Sequence, residues 1–245
     1  MSATYTYDGS FGGFLTALAL AVEKNKPDSS IAKETAAEAG LFTEFFSAGS
    51  DPEKAAIARD LVESCGSAES WQHVRFAFLS EVPGSETAIL EYVKLLAAKG
   101  PIADSMLADD RVKKVHGLAA SVGGEAHMFK GFVRFKELAD KSLYAKIEPD
   151  HNILPLLVPH FRARLGTFNW VIHDTRRNNA ALYFKGKLVY APLASANILE
   201  DGKEAEVRAL WKHFFKIAAV KERVNPGLQR RNVPLKYRKN LTEFD

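Results

Sequence analysis

"SLYAKIEPDHNILPLLVPHF", residues 142–161, decides how the second half of the chain is read. Alternation sets Leu143, Ala145 and Ile147 on one face and Tyr144, Lys146 and Glu148 on the other, the period of a β-strand. Pro149 cannot donate to a strand ladder and ends the run. Asp150 or Asn152 can then accept hydrogen bonds from the first free N–H groups of a helix over 152–164. Pro155 fits an early helical turn, whereas Pro159 removes a donor and predicts a loosened or shortened helix. The junction gathers Glu148, Asp150 and His151 at one strand-to-helix turn, where a rigid scaffold can present short polar side chains.

Around this stretch lie short aromatic and β-branched runs: "GFVRF", "NWVIHD", "ALYFKG" and "KLVYAPL". "TRRNNA" reads as a turn and "KGK" as a hairpin, so residues 131–193 predict a mainly antiparallel sheet interrupted by the 152–164 helix. An amphipathic helix follows over 203–224, with Val207, Leu210, Trp211, Phe214, Phe215 and Ala218 inward. The tail "NPGLQRRNVPLKYRKNLTEF" is basic and reads as irregular.

The first half is helical in pattern. Thr4–Asp8 reads as a short strand, and Ser10 caps a helix starting at Phe11. Further helices are expected over 31–47, 52–64 (behind Asp51 and Pro52), Trp71–Leu79, Thr87–Ala98 and 109–129, the last bent or broken at Gly123 and Gly124. The expectation is one α+β domain over 1–245. Its helix-rich part is 11–129, and 130–245 holds a mainly antiparallel sheet with packed helices.

Composition narrows the function. Apolar residues form 47% of the chain and charged residues 26%, the balance of a globular protein with a real core. No apolar run is long enough to span a bilayer, and "MSATYTYDGS" lacks the features of a secretory signal, so a cytoplasmic protein with no membrane partner is expected. The single Cys65 excludes an intrachain disulfide and a Cys-ligated cluster. Charge is lopsided. Residues 1–110 hold 8 Lys/Arg against 17 Asp/Glu, and residues 111–245 hold 25 against 13. A basic half reads as a surface for a polyanion, nucleic acid being the usual candidate; the bland alternative is attraction between the two halves.

Two groups of candidate site residues follow. His151, flanked by Glu148 and Asp150, can act as a tuned acid–base group, with His127 and His173 as further members if the fold brings them in. Lys130, Arg134, Arg164, Arg176, Arg177, Arg230 and Arg231 are candidate phosphate or nucleic-acid contacts, interleaved with aromatics that could stack on bases. Helix capping alone would account for Asp150, and core packing for Phe214 and Phe215. Neither an HExxH motif nor a GxSxG elbow is present, and Cys65 has no histidine near it in sequence, so no metal and no cofactor are expected.

The blocks "YTYDGSFGGFLTAL", "GEAHMFKGFVRFKEL", "LYAKIEPDHNILPLLVPHF", "WVIHDTRR" and "NPGLQRRNVPLKYRKNLTE" resemble a bacterial family of unknown function whose members are labelled probable DNA metabolism proteins. The likeness covers nearly the whole chain and is strongest from Gly124 to Phe161. That family is known chiefly by genes lying beside one for a radical-SAM DNA modification or repair protein, and related domains are fused to a uracil-DNA-glycosylase-like domain. The resemblance implies work on DNA, single- or double-stranded, with a radical-SAM partner. It assigns no residue a role, and Gly12 stands where the family pattern has an acid. With one cysteine the chain cannot itself be the radical-SAM enzyme, whose cluster needs several. Three expectations stand: an enzyme centred on His151, a non-catalytic DNA-binding adaptor, or a small-molecule hydrolase unrelated to DNA.

Overall fold

A computed structural model describes residues 2–26, 28–36, 43–194 and 226–244. The fold is α+β, and the chain forms two compact units, residues 1–123 and 124–245.

The first unit is built on a three-stranded parallel sheet in the order β2-β1-β3, with β1 spanning Ser2–Tyr7, β2 Ser29–Lys33 and β3 Thr43–Ala48. Both flanking strands fall in or beside the stretch read as a helix over 31–47, and that expectation is overturned. A lone β1 would leave backbone donors and acceptors unpaired along both edges, and this requirement overrides the helix-like spacing of Ala and Phe. Tyr5 pairs in register with Ile31 on one side and Phe46 on the other, and its ring stacks on Phe46 at 5.2 Å.

Helix α1 (Phe11–Lys24) connects β1 and β2. Ser10 caps it, accepting from the Gly13 N–H, and the Asp8 carboxylate in turn takes the Ser10 N–H and hydroxyl. Phe14, Ala17, Leu18 and Ala21 recur at helical spacing and are buried in the core with Tyr7, Ile89 and Leu90. Helices α2 (Pro52–Cys65), α3 (Ala68–Leu79) and α4 (Ser85–Lys99) follow, then a 3-10 helix at Gly100–Ser105.

Helix α5 (Asp110–Phe132) runs unbroken through Gly123 and Gly124, where a bend or a break was expected. A Cβ on Gly123 would lie 3.4 Å from the Phe76 ring, an ordinary contact distance. The helix also absorbs the start of "GFVRF", leaving β4 as only Lys136–Glu137.

The second unit carries a five-stranded mixed sheet, β4-β5-β6-β7-β8. Strands β5 (Leu143–Ile147) and β6 (Trp170–Asp174) are parallel and joined through helix α6 (Leu154–Arg164). The other pairings, with β7 (Asn179–Phe184) and β8 (Lys187–Pro192), are antiparallel. Lys185 and Gly186 turn the last hairpin, both at positive φ. Helix α6 continues past Pro159 because Leu157, Val158 and Phe161 are buried on its inner face, outweighing one missing hydrogen bond. The tail is less irregular than its composition suggests, forming α7 (Pro226–Asn232) and α8 (Leu235–Arg238). The helix expected over 203–224 lies outside the described residues. Among the described residues, no helix is long and apolar enough to cross a membrane.

Asp51 accepts from the Glu53 and Lys54 N–H groups ahead of Pro52. Asp51→Ala should therefore lower unfolding free energy by about 1 kcal/mol in chemical denaturation, and Asp51→Asn by much less. Equal midpoints for wild type and the alanine variant would contradict the cap.

Candidate functional site

The strand-to-helix turn of the second unit is a polar knot, but one wired differently from its sequence reading. Asp150 does not cap α6. The cap position is Ile153, with no side-chain hydrogen bond. The turn is held instead by Glu125, a buried acid on α5 with 4% of its surface exposed. The Asp150 N–H donates to Glu125 Oε1 at 2.7 Å and the His151 N–H to Oε2 at 2.8 Å, one backbone donor for each oxygen. A third donor, the Tyr237 hydroxyl on α8, reaches Oε1 at 2.5 Å. Burial and the bond to Glu125 push the Tyr237 phenol well above its usual pKa, so it stays protonated and donates. Its ring lies edge-on to Phe129 at 4.9 Å.

The Asp150 side chain is free to face the cations. Its Oδ1 accepts from Arg176 Nη1 at 2.7 Å, and its Oδ2 pairs with Lys236 and lies 3.2 Å from the Tyr237 hydroxyl. Partial burial raises the Asp150 carboxyl, but Lys236 and Arg176 together outweigh that and hold it below the ordinary range. Glu148 pairs with Lys239, which holds its carboxyl low, and Lys146 stands 3.6 Å away. Arg177 grips the turn from the other side, donating to the carbonyls of Pro149 (3.2 Å) and Asp150 (2.7 Å) and to Asp174 Oδ2 (3.0 Å). Asp174 is fully buried and also accepts from the Arg176 and Arg177 N–H groups. Burial pushes its carboxyl up while Arg177 opposes the shift.

Glu148, Asp150, Arg176 and Arg177 are thus brought together, joined by Glu125, Lys236, Tyr237 and Lys239. Sequence reasoning missed Glu125 and Tyr237 altogether. The one local signal for the tail was the basic and aromatic run "PLKYRK".

The three candidate histidines sit on different elements: His173 on β6, His127 on α5 and His151 in the turn itself. His173 is buried on β6, with Nε2 at 2.8 Å from the Leu193 carbonyl and Nδ1 at 2.7 Å from the Tyr144 hydroxyl. A carbonyl only accepts, so Nε2 carries the proton, and burial holds the ring's pKa down. This fixes a neutral ring with Nδ1 accepting from Tyr144. His127 is exposed on α5, and His151 is half-buried at the turn.

Among the phosphate candidates, Lys130, Arg164, Arg176, Arg230 and Arg231 are exposed, whereas Arg177 is engaged as above. Arg134 donates to the Gly131 carbonyl at 2.7 Å, closing the end of α5. His160 has a buried Nε2 with no hydrogen-bond partner. Burial first, then the charges of Lys130 and Arg164, hold its pKa down.

A second feature of this unit is a groove of about 500 Å³ between α6 and β8, lined by Pro155, Val158, Pro159, Arg162, Leu188 and Tyr190. At its tip the β7–β8 hairpin exposes Phe184 (56%), on the sheet face opposite Leu188 and Tyr190, and places Lys185 over that ring at 5.3 Å. Tyr190 on β8 is 45% exposed. Chemically, the knot neutralises its own carboxylates and fastens the tail, while the groove offers the Arg162 cation and the Tyr190 ring.

The knot has a pH signature. Glu148 and Asp150 are both depressed in the folded state, so their share of stability is full above their unfolded pKa near ~4 and is lost as pH falls through the folded values. Hydrogen exchange of the α8 amides, corrected for intrinsic rate, should lose protection on going from pH 7 to pH 3. Unchanged protection over that range would show that these pairs do not hold the tail.

No curated protein and no solved structure matches the chain. A family model described as a domain of unknown function, DUF4130, matches residues 83–243. That span takes in Glu125, the turn, the groove and the tail that closes the knot, and the chain belongs to the DUF4130 family.

Proposed function

We propose that this chain is a nucleic-acid-binding protein of DNA metabolism, and that its second unit binds single-stranded nucleic acid along the α6–β8 groove. The observation that carries the reading is the pairing in that groove of the exposed Arg162 cation with the Tyr190 ring. Single strands are held by cations that follow the phosphates and by aromatic faces on which unstacked bases lie. Charge distribution supports it. Where side chains are described, the second unit has sixteen Lys or Arg against six Asp or Glu. All six acids are engaged within the protein: Glu125, Glu148, Asp150 and Asp174 in the knot, Glu137 with Lys141, and Asp140 with Ser142. Among the described residues of this unit, the outward charge is therefore cationic.

In this reading the chain positions or protects a strand and a partner supplies the chemistry. The radical-SAM protein implied by the family resemblance is the proposed partner. The adaptor role is preferred to an acid–base enzyme centred on His151 because the two carboxylates that would tune that ring, Glu148 and Asp150, are paired with lysine and arginine.

Fluorescence anisotropy of the full chain with labelled single- and double-stranded DNA at graded salt tests this. Single-stranded DNA should bind more tightly, with affinity falling steeply as salt rises. Tyr190→Ala should weaken it by about 1–3 kcal/mol, and Arg162→Glu should also flatten the salt dependence. Salt-independent binding, or equal affinity for wild type and both variants, would overturn the proposal.

A further inference from the structure

The first unit contains a separate cluster that the nucleic-acid reading does not use. His73 on α3, Asp104 on the 3-10 helix and His116 on α5 each offer one ligand atom, and these atoms lie within 4.8 Å of one another. Asp104 Oδ1 stands 2.7 Å from His116 Nε2 and 3.5 Å from His73 Nδ1. The two imidazoles lie tilted by 37° with centroids 3.9 Å apart. His73 Nδ1 is buried and has no hydrogen-bond partner, an unusual state for a polar atom that protein or water normally satisfies.

We propose that His73, Asp104 and His116 form a binding site for a divalent first-row transition ion of the zinc class. Two imidazoles and a carboxylate are the donor set such ions take, and three protein ligands leave a position open for water or a substrate. Metal–ligand distances of about 2.0–2.2 Å place ligand atoms roughly 3.3 Å apart in a tetrahedral site. The His73–Asp104 separation already matches this, and His116 has to open by roughly half an ångström.

The surroundings suit the role. Tyr92 donates to Asp104 Oδ1 at 2.5 Å and Ser70 to Oδ2 at 3.1 Å, orienting the carboxylate as outer-shell groups do. Glu69, one turn before His73 on the same helix, adds negative charge that acts on the imidazole. Side-chain exposures of 17–21% leave an entry path without dissolving the cluster in solvent. A hydrogen-bond network alone would account for Asp104, Tyr92 and Ser70. It leaves His73 Nδ1 unsatisfied, and an ion would satisfy it.

The full chain, stripped with chelator, is titrated with Co²⁺ and then Zn²⁺. One Co²⁺ per chain should bind with the visible ligand-field absorption of nitrogen and oxygen coordination, and Zn²⁺ should displace it. His73→Gln and His116→Ala should abolish the absorption. Tyr92→Phe should weaken affinity by about 10–100-fold. His127→Ala, which removes an exposed histidine of the other unit, should change nothing. Circular dichroism checks each variant, and if His116→Ala is unfolded, His73→Gln decides. Absence of Co²⁺ absorption in the wild type, its persistence in a folded His73→Gln, or its equal loss in His127→Ala would overturn the proposal.

Discussion

The second unit depends on one buried carboxylate. Glu125 sits on α5 with almost no contact with water, where an ionised acid is strongly unfavourable unless each oxygen is satisfied. Its donors are two consecutive backbone N–H groups at the end of β5 and a phenol on α8. Oε1 takes two of these donors and Oε2 one, so α5, the turn and the tail are tied through a single carboxylate. Breaking such an arrangement from one side typically costs several kcal/mol, far more than an exposed ion pair contributes. Lys236 with Asp150 and Lys239 with Glu148 are exposed pairs of that weaker kind. They set the register of α8, and the Glu125–Tyr237 bond supplies the anchor.

This constraint explains why the turn looks like a reaction centre in sequence and behaves as a fastening in structure. Glu148, Asp150 and His151 do share one junction, as the alternation through β5 and the stop at Pro149 imply. What alternation cannot convey is where their partners come from. Tyr237 is 112 residues from Glu125 and Lys239 is 91 residues from Glu148, separations with no local periodicity to betray them. His73, Asp104 and His116 are spread over three elements in the same way and form no compact motif.

Elements set by their own residues were legible. Ser10 with Phe14 and Leu18 marks α1, Asp51 with Pro52 marks the start of α2, and the aromatic runs mark β6 to β8. Elements set by distant pairing were not. Strands β2 and β3 exist because β1 needs two neighbours, and α5 runs on through Gly123 and Gly124 despite their low helix propensity. The α+β class was legible because it follows from the sum of local patterns, whereas the parallel sheet of the first unit depends on which strands meet. The same division runs through the chemistry of the second unit. Among its described residues the acids turn to internal partners, while cations such as Arg162 and rings such as Tyr190 stay exposed, an arrangement suited to a polyanion with exposed bases.

The central claim is the mutual dependence of Glu125 and Tyr237, and a double-mutant cycle in chemical denaturation measures it directly. Glu125→Gln, Tyr237→Phe and the double variant are compared with wild type. The account predicts a coupling energy of about 1–3 kcal/mol, with the double variant losing clearly less than the sum of the single losses. Additive losses within about 0.3–0.5 kcal/mol would contradict it, because the carboxylate and the phenol would then be stabilising the unit independently.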